Sequence, residues 1–319
     1  MPDFEKPDIL LTHPLFHVSP DLYAFKYNFH KLWEAENLSC LISGISDTCE
    51  AVVTRGEFTD EDMAGLPNLK LIAVCGVGYD GVDVDKAISR NINVTHTPNV
   101  LTEDVADLAL GLLLAAGRKI VQADRYIREG RWVKDGEMKY NFRVHGKKLG
   151  IVGLGRIGLA ISRRCDALSM EVGYHNRSAR RGINYRYFDK ITELANWCDY
   201  LVISTPGGQG TYHLIDAEVL SALGPTGILI NVGRGTSVDQ IALIDALQSG
   251  TIAGAALDVI DGEPVVPDEL LQFEENLILQ PHQASATFET RQAMVELTLA
   301  NVDAMLMKEP LLTPVPECT

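Results

Sequence analysis

From Leu149 to Gln280 the chain repeats one rhythm, and that rhythm limits its architecture more than any other feature. Six short apolar runs, Leu149–Gly155, Glu171–His175, Tyr200–Ser204, Ile228–Gly233, Ala253–Val259 and Asn276–Gln280, recur along this stretch. Segments with helical spacing separate most of them, among them Arg156–Leu168, Asp216–Leu223 and Asp239–Ser249, the last stopped by Gly250. Strands alternating with helices pack as a mostly parallel sheet covered on both faces. Such strands read as continuous apolar runs because neither face meets water. A doubly wound α/β domain is therefore expected here.

The N-terminal third has a weaker version of the same rhythm. Ile9–Leu11, Ala51–Thr54, Leu71–Val74 and Ile92–Thr95 read as strands, and Asp21–Glu34 and Asp60–Leu66 as helices. A longer helix is expected after Thr97-Pro98-Asn99, where Glu103 and Asp104 suit a helix N-terminus and Leu108, Leu112, Ala115 and Ala116 keep a helical stripe. Ala286–Met307 reads as a closing helix. A length of 319 residues suits two domains, at roughly 100–200 residues each.

Composition excludes partners more than it names them. Lys and Arg number 28 against 43 Asp and Glu, a net charge of −15 that disfavours nucleic acid and anionic membrane. No apolar run reaches the ~18 residues of a membrane helix. The six cysteines form no C-x-x-C pair and no metal-type spacing, so they read as small hydrophobes in a reducing compartment. The start, MPDFEKPDILL, lacks the pattern of a signal peptide, and PVPECT is no targeting address, so the cytoplasm is the expected location.

Gly153-Leu-Gly155-Arg156-Ile157-Gly158 lies between an expected strand and an expected helix, the context a dinucleotide-binding turn requires. Gly153 allows the tight turn, Gly155 lets a pyrophosphate approach the backbone, and Gly158 lets helix and strand pack closely. The helix N–H groups and dipole then face the phosphates. Enzymes that choose NAD usually place a carboxylate at the end of the next strand for the ribose hydroxyls. Here that strand ends in Asn176-Arg177-Ser178, with Arg180 and Arg181 close behind. A guanidinium and a hydroxyl suit a 2′-phosphate. NADPH is expected over NADH.

Three further groups follow three successive strands. Arg234 follows Ile228–Gly233, Asp258 and Glu263 lie at and after the end of Ala253–Val259, and His282 follows Asn276–Gln280. Ligands of open α/β sheets bind outside the carboxyl ends of the strands, so these groups share the edge that holds the cofactor. Hydride attack on a 2-oxo acid builds negative charge on the carbonyl oxygen. Arg234 can hold the substrate carboxylate and polarise the carbonyl, and His282 can supply the proton. Glu263, within hydrogen-bond reach, would orient the ring and favour imidazolium. Asp258 has two readings, a turn cap or an acceptor for the nicotinamide amide. The other seven histidines have no matching partners and read as structural. No metal is needed, because the nicotinamide supplies the difficult chemistry.

In combination and order, residues 74–83 (VCGVGYDGVD), 97–107 (TPNVLTEDVAD), 153–158 (GLGRIG), 231–235 (NVGRG), 257–259 (LDV) and 281–287 (PHQASAT) resemble the D-isomer-specific 2-hydroxyacid dehydrogenases, and within them the glyoxylate/hydroxypyruvate reductases. The resemblance spans nearly the whole chain and puts the family's catalytic residues on Arg234, Glu263 and His282. It implies two doubly wound domains, a Rossmann cofactor domain (100–286) inserted into a flavodoxin-like substrate domain (1–99 plus 287–319), with the active site in a cleft that closes. It also implies that Val77 and Gly78 meet the substrate carboxylate through backbone N–H groups, alongside Arg234 and His282. Thr102, Thr205, Pro206, Thr211, Val232 and Asp258 would join the cofactor contacts. An arm at about 118–146, with Trp132, would embrace a second subunit in a homodimer. Gln283-Ala284 and Gly207-Gly208 depart from the commoner family pattern beside the pocket. Two other readings remain: a dehydrogenase for a bulkier D-2-hydroxy acid, and a dinucleotide-sensing protein like the C-terminal-binding corepressors.

Overall fold

The computed structural model describes residues 6–319; the first five, which belong to the reading of the chain start, lie outside the described residues. The chain divides into two compact units, one running up to Leu101 and resuming over Ala286–Thr319, the other spanning Thr102–Ser285. Each is built on a parallel sheet.

The first unit contains β1 (Asp8–Leu11), β2 (Asn28–Lys31), α1 (Leu38–Ile45), β3 (Ala51–Thr54), α2 (Asp60–Ala64), β4 (Leu71–Val74), α3 (Val84–Ser89) and β5 (Asn93–Thr95). Its strand order, β2-β1-β3-β4-β5, is that of flavodoxin-like sheets. β3 and β4 are buried at every position, which is why they read so plainly as apolar runs. Short polar side chains start the helices: Asn37 accepts from Cys40 N, Asp83 from Lys86 N, and Thr59 forms a capping box with Asp62. Beyond β5, Thr313–Val315 runs antiparallel along the sheet edge, with Val315 N donating to Val94 O at 2.9 Å and His96 N to Thr313 O at 3.1 Å.

One expectation fails in this unit. Asp21–Glu34 is not a helix: Pro20–Tyr23 is a single tight turn capped by Ser19, and Asn28–Lys31 pairs in parallel with β1. β2 is an edge strand with no fully buried residue, so it writes no apolar run. The apolar residues of this stretch follow no single face: Leu22 is 64% and Phe25 76% exposed, whereas Tyr27 is buried.

The second unit contains α4 (Thr102–Arg118), α5 (Ile120–Arg128), α6 (Arg131–Asp135), β6 (Lys148–Val152), α7 (Arg156–Asp166), β7 (Glu171–His175), β8 (Arg186–Tyr187), α8 (Ile191–Trp197) and β9 (Tyr200–Ile203). It continues with α9 (Ala217–Leu223), β10 (Ile228–Asn231), α10 (Gln240–Ser249), β11 (Gly254–Leu257), α11 (Asp268–Leu271) and β12 (Leu277–Leu279). The closing helix α12 (Phe288–Leu306) belongs to the first unit. The sheet order β12-β11-β10-β9-β6-β7-β8 is the Rossmann order extended by one strand, with its switch point between β6 and β9. The sheet therefore has seven strands, not six. The additional one, β8, is two residues long, at the edge and not buried, so it leaves no hydrophobic signature. On one face of the sheet Ile203, Leu229 and Leu257 share a core with Leu220 of α9 and with Leu243 and Leu247 of α10. Each such burial contributes about 1.5–3 kcal/mol before entropy is counted.

Among the described residues no helix is long and apolar enough to cross a membrane. The cysteines are all free, four of them buried, and burial pushes the thiols of Cys49 and Cys75 up to about 11 and those of Cys165 and Cys198 to about 12.

Candidate active site

The glycine-rich turn joins β6 to α7. Gly153 has φ of +93°, and a β-carbon there would stand 2.9 Å from Thr205 Cγ2. One on Gly158 would stand 2.5 Å from Gly153 O and 3.0 Å from Ile151 Cγ2, so only glycine lets α7 sit this close to its strand. Gly155 differs: a β-carbon there would meet nothing within 4 Å. The N-terminus of α7, beginning at Arg156 and Ile157, has no side-chain cap. Open space over Gly155 and uncapped N–H groups beside it fit the pyrophosphate of a dinucleotide.

Side chains from the loop after β7 brace this turn. Asn176 Oδ1 accepts from Leu154 N at 2.7 Å. Arg180, read from the sequence as part of a cationic cluster, donates through Nη1 to Leu154 O at 2.6 Å and Gly155 O at 3.3 Å. Arg177 and Ser178 are exposed. Around the next loop, Thr211 Oγ1 donates to Pro206 O at 2.8 Å, Thr205 Oγ1 lies 3.5 Å from Ser237 Oγ, and Val232 is buried with its N–H on Ile203 O. Thr102 is the first residue of α4.

β10, β11 and β12 are parallel neighbours, so Arg234, Glu263 and His282 follow adjacent strand ends. Gly235 packs so closely on the next loop that a β-carbon would stand 2.1 Å from Ile260 C. Asn231 holds the arginine turn, donating from Nδ2 to Arg234 O at 2.8 Å and accepting from Gly233 N at 3.0 Å. Arg234 Nη1 in turn donates to Gly233 O at 2.9 Å.

His282 Nδ1 lies 2.5 Å from Glu263 Oε1. With Nδ1–H donating to the carboxylate, the ring directs Nε2 away from Glu263. Burial opposes the charge of Glu263, but the hydrogen bond and charge of His282, the Ile260 N–H and nearby Arg234 outweigh it. The carboxyl is held below its ordinary value of 4.5.

Asp258 organises the histidine loop. It is 1% exposed, and its Oδ1 accepts from Gln283 N at 2.7 Å and its Oδ2 from Ala284 N at 3.1 Å. Its backbone O accepts from His282 N at 2.9 Å, and its own N–H donates to Asn231 O at 2.9 Å. His282 itself is held at φ of +54°, a left-handed conformation that costs a non-glycine residue energy. Burial pushes the Asp258 carboxyl upward against the pull of those two backbone N–H groups and His282. Turn-capping is thus the geometry of Asp258 here. Sequence reasoning had no role for Asn231, though an Asn ending a buried strand before Gly-x-Gly is a recognisable turn-bracing signal.

In the first unit, Val77 and Gly78 lie on the loop after β4. His96 Nδ1 donates to Val77 O at 2.9 Å, and Thr97 N to Gly76 O at 2.8 Å. Gly76 and Gly78 both have ordinary φ, so a left-handed turn is not the reason for glycine here.

Residues 110–284 match the family described as D-isomer specific 2-hydroxyacid dehydrogenase, NAD binding domain. The glyoxylate/hydroxypyruvate reductase A of Arabidopsis thaliana is 40% identical over 313 residues, 98% of this chain and 99% of that protein. The hydroxyphenylpyruvate reductase of Plectranthus scutellarioides is 46% identical over 250 residues, 78% of this chain and 79% of its own. Among solved structures, an NADPH-dependent glyoxylate/hydroxypyruvate reductase of Sinorhizobium meliloti in complex with NADP and malonate superposes with a TM-score of 0.92 at 42% identity, covering 98% of each chain. Strand order, glycine turn and near full-length identity agree, and the chain belongs to the D-isomer specific 2-hydroxyacid dehydrogenase family.

Proposed function

We propose that this protein is an NADPH-preferring reductase that converts small 2-oxo acids of the glyoxylate and hydroxypyruvate type to the corresponding 2-hydroxy acids. The observation that carries this reading is the Glu263–His282 hydrogen bond of 2.5 Å at one edge of a dinucleotide-binding sheet. A bound reduced nicotinamide would supply the hydride. His282 acts as general acid: Nδ1–H stays on Glu263 while the proton on Nε2 passes to the carbonyl oxygen as negative charge develops there. Arg234, permanently charged, holds the substrate carboxylate and stabilises the oxyanion. Glu263 keeps the ring oriented and offsets the charge of imidazolium. Val77 and Gly78 are proposed to add backbone N–H groups for the carboxylate.

The preference for NADPH rests on the end of β7. Asn176, Arg177 and Ser178 stand where NAD enzymes usually place a carboxylate, and Arg177 and Ser178 are exposed. The remaining proposed cofactor contacts are the turn at 153–158, Thr102, Thr205, Pro206, Thr211, Val232 and Asp258. A homodimer through the arm fits its surface, where Trp132 is 62% exposed and Val133 and Tyr140 are each 95% exposed.

The test is a kinetic panel with NADPH and NADH against glyoxylate, hydroxypyruvate and 4-hydroxyphenylpyruvate. A higher kcat/KM with NADPH and with the two small acids is expected. Preference for NADH would overturn the cofactor assignment. Preference for the aromatic acid would favour a bulkier substrate, the reading suggested by similarity to a hydroxyphenylpyruvate reductase.

A further inference from the structure

His96 follows β5, and the strip that runs along that strand holds its backbone on both sides. Its N–H donates to Thr313 O at 3.1 Å, and its carbonyl accepts from Thr313 Oγ1 at 2.6 Å. Thr313 is anchored in turn by Asn301 of α12, which is fully buried. Asn301 Nδ2 donates to Thr313 Oγ1 at 2.9 Å, and its Oδ1 accepts from Leu312 N at 2.9 Å and Thr313 N at 3.1 Å. The Tyr79 ring stands edge-on to the imidazole, with the centroids 5.3 Å apart. Its hydroxyl is tethered to Glu317, donating to Oε2 at 3.1 Å. These contacts leave the imidazole little freedom, and its Nδ1 donates to Val77 O at 2.9 Å.

That bond fixes more than one atom. A trans peptide is planar, with its C=O and N–H pointing in opposite directions. Val77 O belongs to the peptide that carries the Gly78 N–H. Gly76 O, which accepts from Thr97 N at 2.8 Å, belongs to the peptide that carries the Val77 N–H. Both carbonyls are drawn toward the end of β5, so both N–H groups point away from it. Among the described residues neither N–H has a hydrogen-bond acceptor, and Val77 and Gly78 are half-buried. A backbone donor in such a place is satisfied by water or by a ligand. Two successive N–H groups aimed the same way form a concave site for an anion.

We infer that His96 is a positioning residue for substrate binding: through Val77 O it holds the Gly78 N–H, beside that of Val77, toward the carboxylate of the 2-oxo acid. The inference deepens the proposed reductase activity and rests on it. No other side chain among the described residues bonds to either peptide. The substrate carboxylate keeps the same charge before and during hydride transfer. Its contacts therefore bind ground state and transition state alike, and weakening them raises KM while sparing kcat.

The experiment compares wild type with His96→Leu and His96→Asn. It measures kcat, KM for glyoxylate, KM for NADPH and the inhibition constant of oxalate, which cannot accept a hydride and so reports carboxylate binding without turnover. His96→Leu removes the donor and should raise KM for glyoxylate and the oxalate constant together by about tenfold, the scale of one hydrogen bond. Both kcat and KM for NADPH should stay within about twofold of wild type. His96→Asn puts an amide N–H near the position of Nδ1 and should recover most of the loss. If His96→Leu does not fold, Thr313→Val carries the same test, since it frees the His96 carbonyl but keeps the imidazole; its rise should be smaller, about two- to threefold. Unchanged KM and oxalate constants, a loss confined to kcat, an equal rise in KM for NADPH, or no recovery in His96→Asn overturns the inference and leaves the reductase reading intact. If no 2-oxo acid is reduced with either cofactor, the reductase reading fails and takes the inference with it.

Discussion

The two sheets finish their strands in different ways. After β10, β11 and β12, buried polar side chains tie the loops: Asn231 braces the arginine turn and Asp258 collects the N–H groups of Gln283 and Ala284. In the first unit, Arg55 from the loop after β3 and Arg291 from α12 pack on Phe16 from the loop after β1, each guanidinium about 4 Å from the ring centroid, beside the buried Thr54, which accepts from Gly56 N at 3.2 Å. Tying with buried hydrogen bonds fixes a reacting atom within a narrow range, as proton transfer requires. Substitutions among the tied loops of the second unit should therefore fall on kcat, and those at untied positions on KM or on the choice of ligand.

The largest expected effect is His282→Ala, which should lower kcat by roughly 10²–10⁴-fold. Turnover near wild type would remove histidine from the chemistry. Next is Asp258→Ala, which leaves two backbone N–H groups without acceptors. It should cost about 10- to 100-fold in kcat with little change in KM. A pure KM effect would break the distinction between tied and untied loops. Arg177→Met probes an exposed position beside the tied turn, and should lower the NADPH/NADH ratio of kcat/KM by about tenfold or more. An unchanged ratio would leave the 2′-phosphate without its proposed partner.

The smallest effect is the pH dependence of stability. Glu263 is held below its ordinary 4.5 in the folded chain. A depressed carboxyl contributes stability that is present above the unfolded value and is lost as pH falls through the folded one. The Tm difference between wild type and Glu263→Gln should therefore narrow as pH drops below about 4.5. Because the Glu263 side chain is 40% exposed, the shift should be small. A gap that stays constant would mean that the pair does not stabilise the fold.

What the sequence disclosed follows burial. Strands such as β3, β9 and β10, buried at every position, were legible as apolar runs. The edge strands β2 and β8 were not, because edge positions face solvent and their pairing is invisible to hydrophobic spacing. The placement of Arg234, Glu263 and His282 after adjacent strands was legible because each follows an apolar run. The work of Asp258 was only half legible, since its partners are backbone N–H groups 25 and 26 residues away. Arg180 was read by its charge alone, whereas its guanidinium grips two carbonyls of the glycine turn.

The strip Thr313–Val315 along β5 has a consequence for biosynthesis. The second unit is continuous in sequence, whereas the first needs residues from both sides of it. At roughly 5–20 residues per second, the strands before Leu101 wait about 10–40 s for the segment that covers them. During that interval the β5 edge is an open template for pairing with another nascent chain. Completing the inserted unit quickly shortens that exposure.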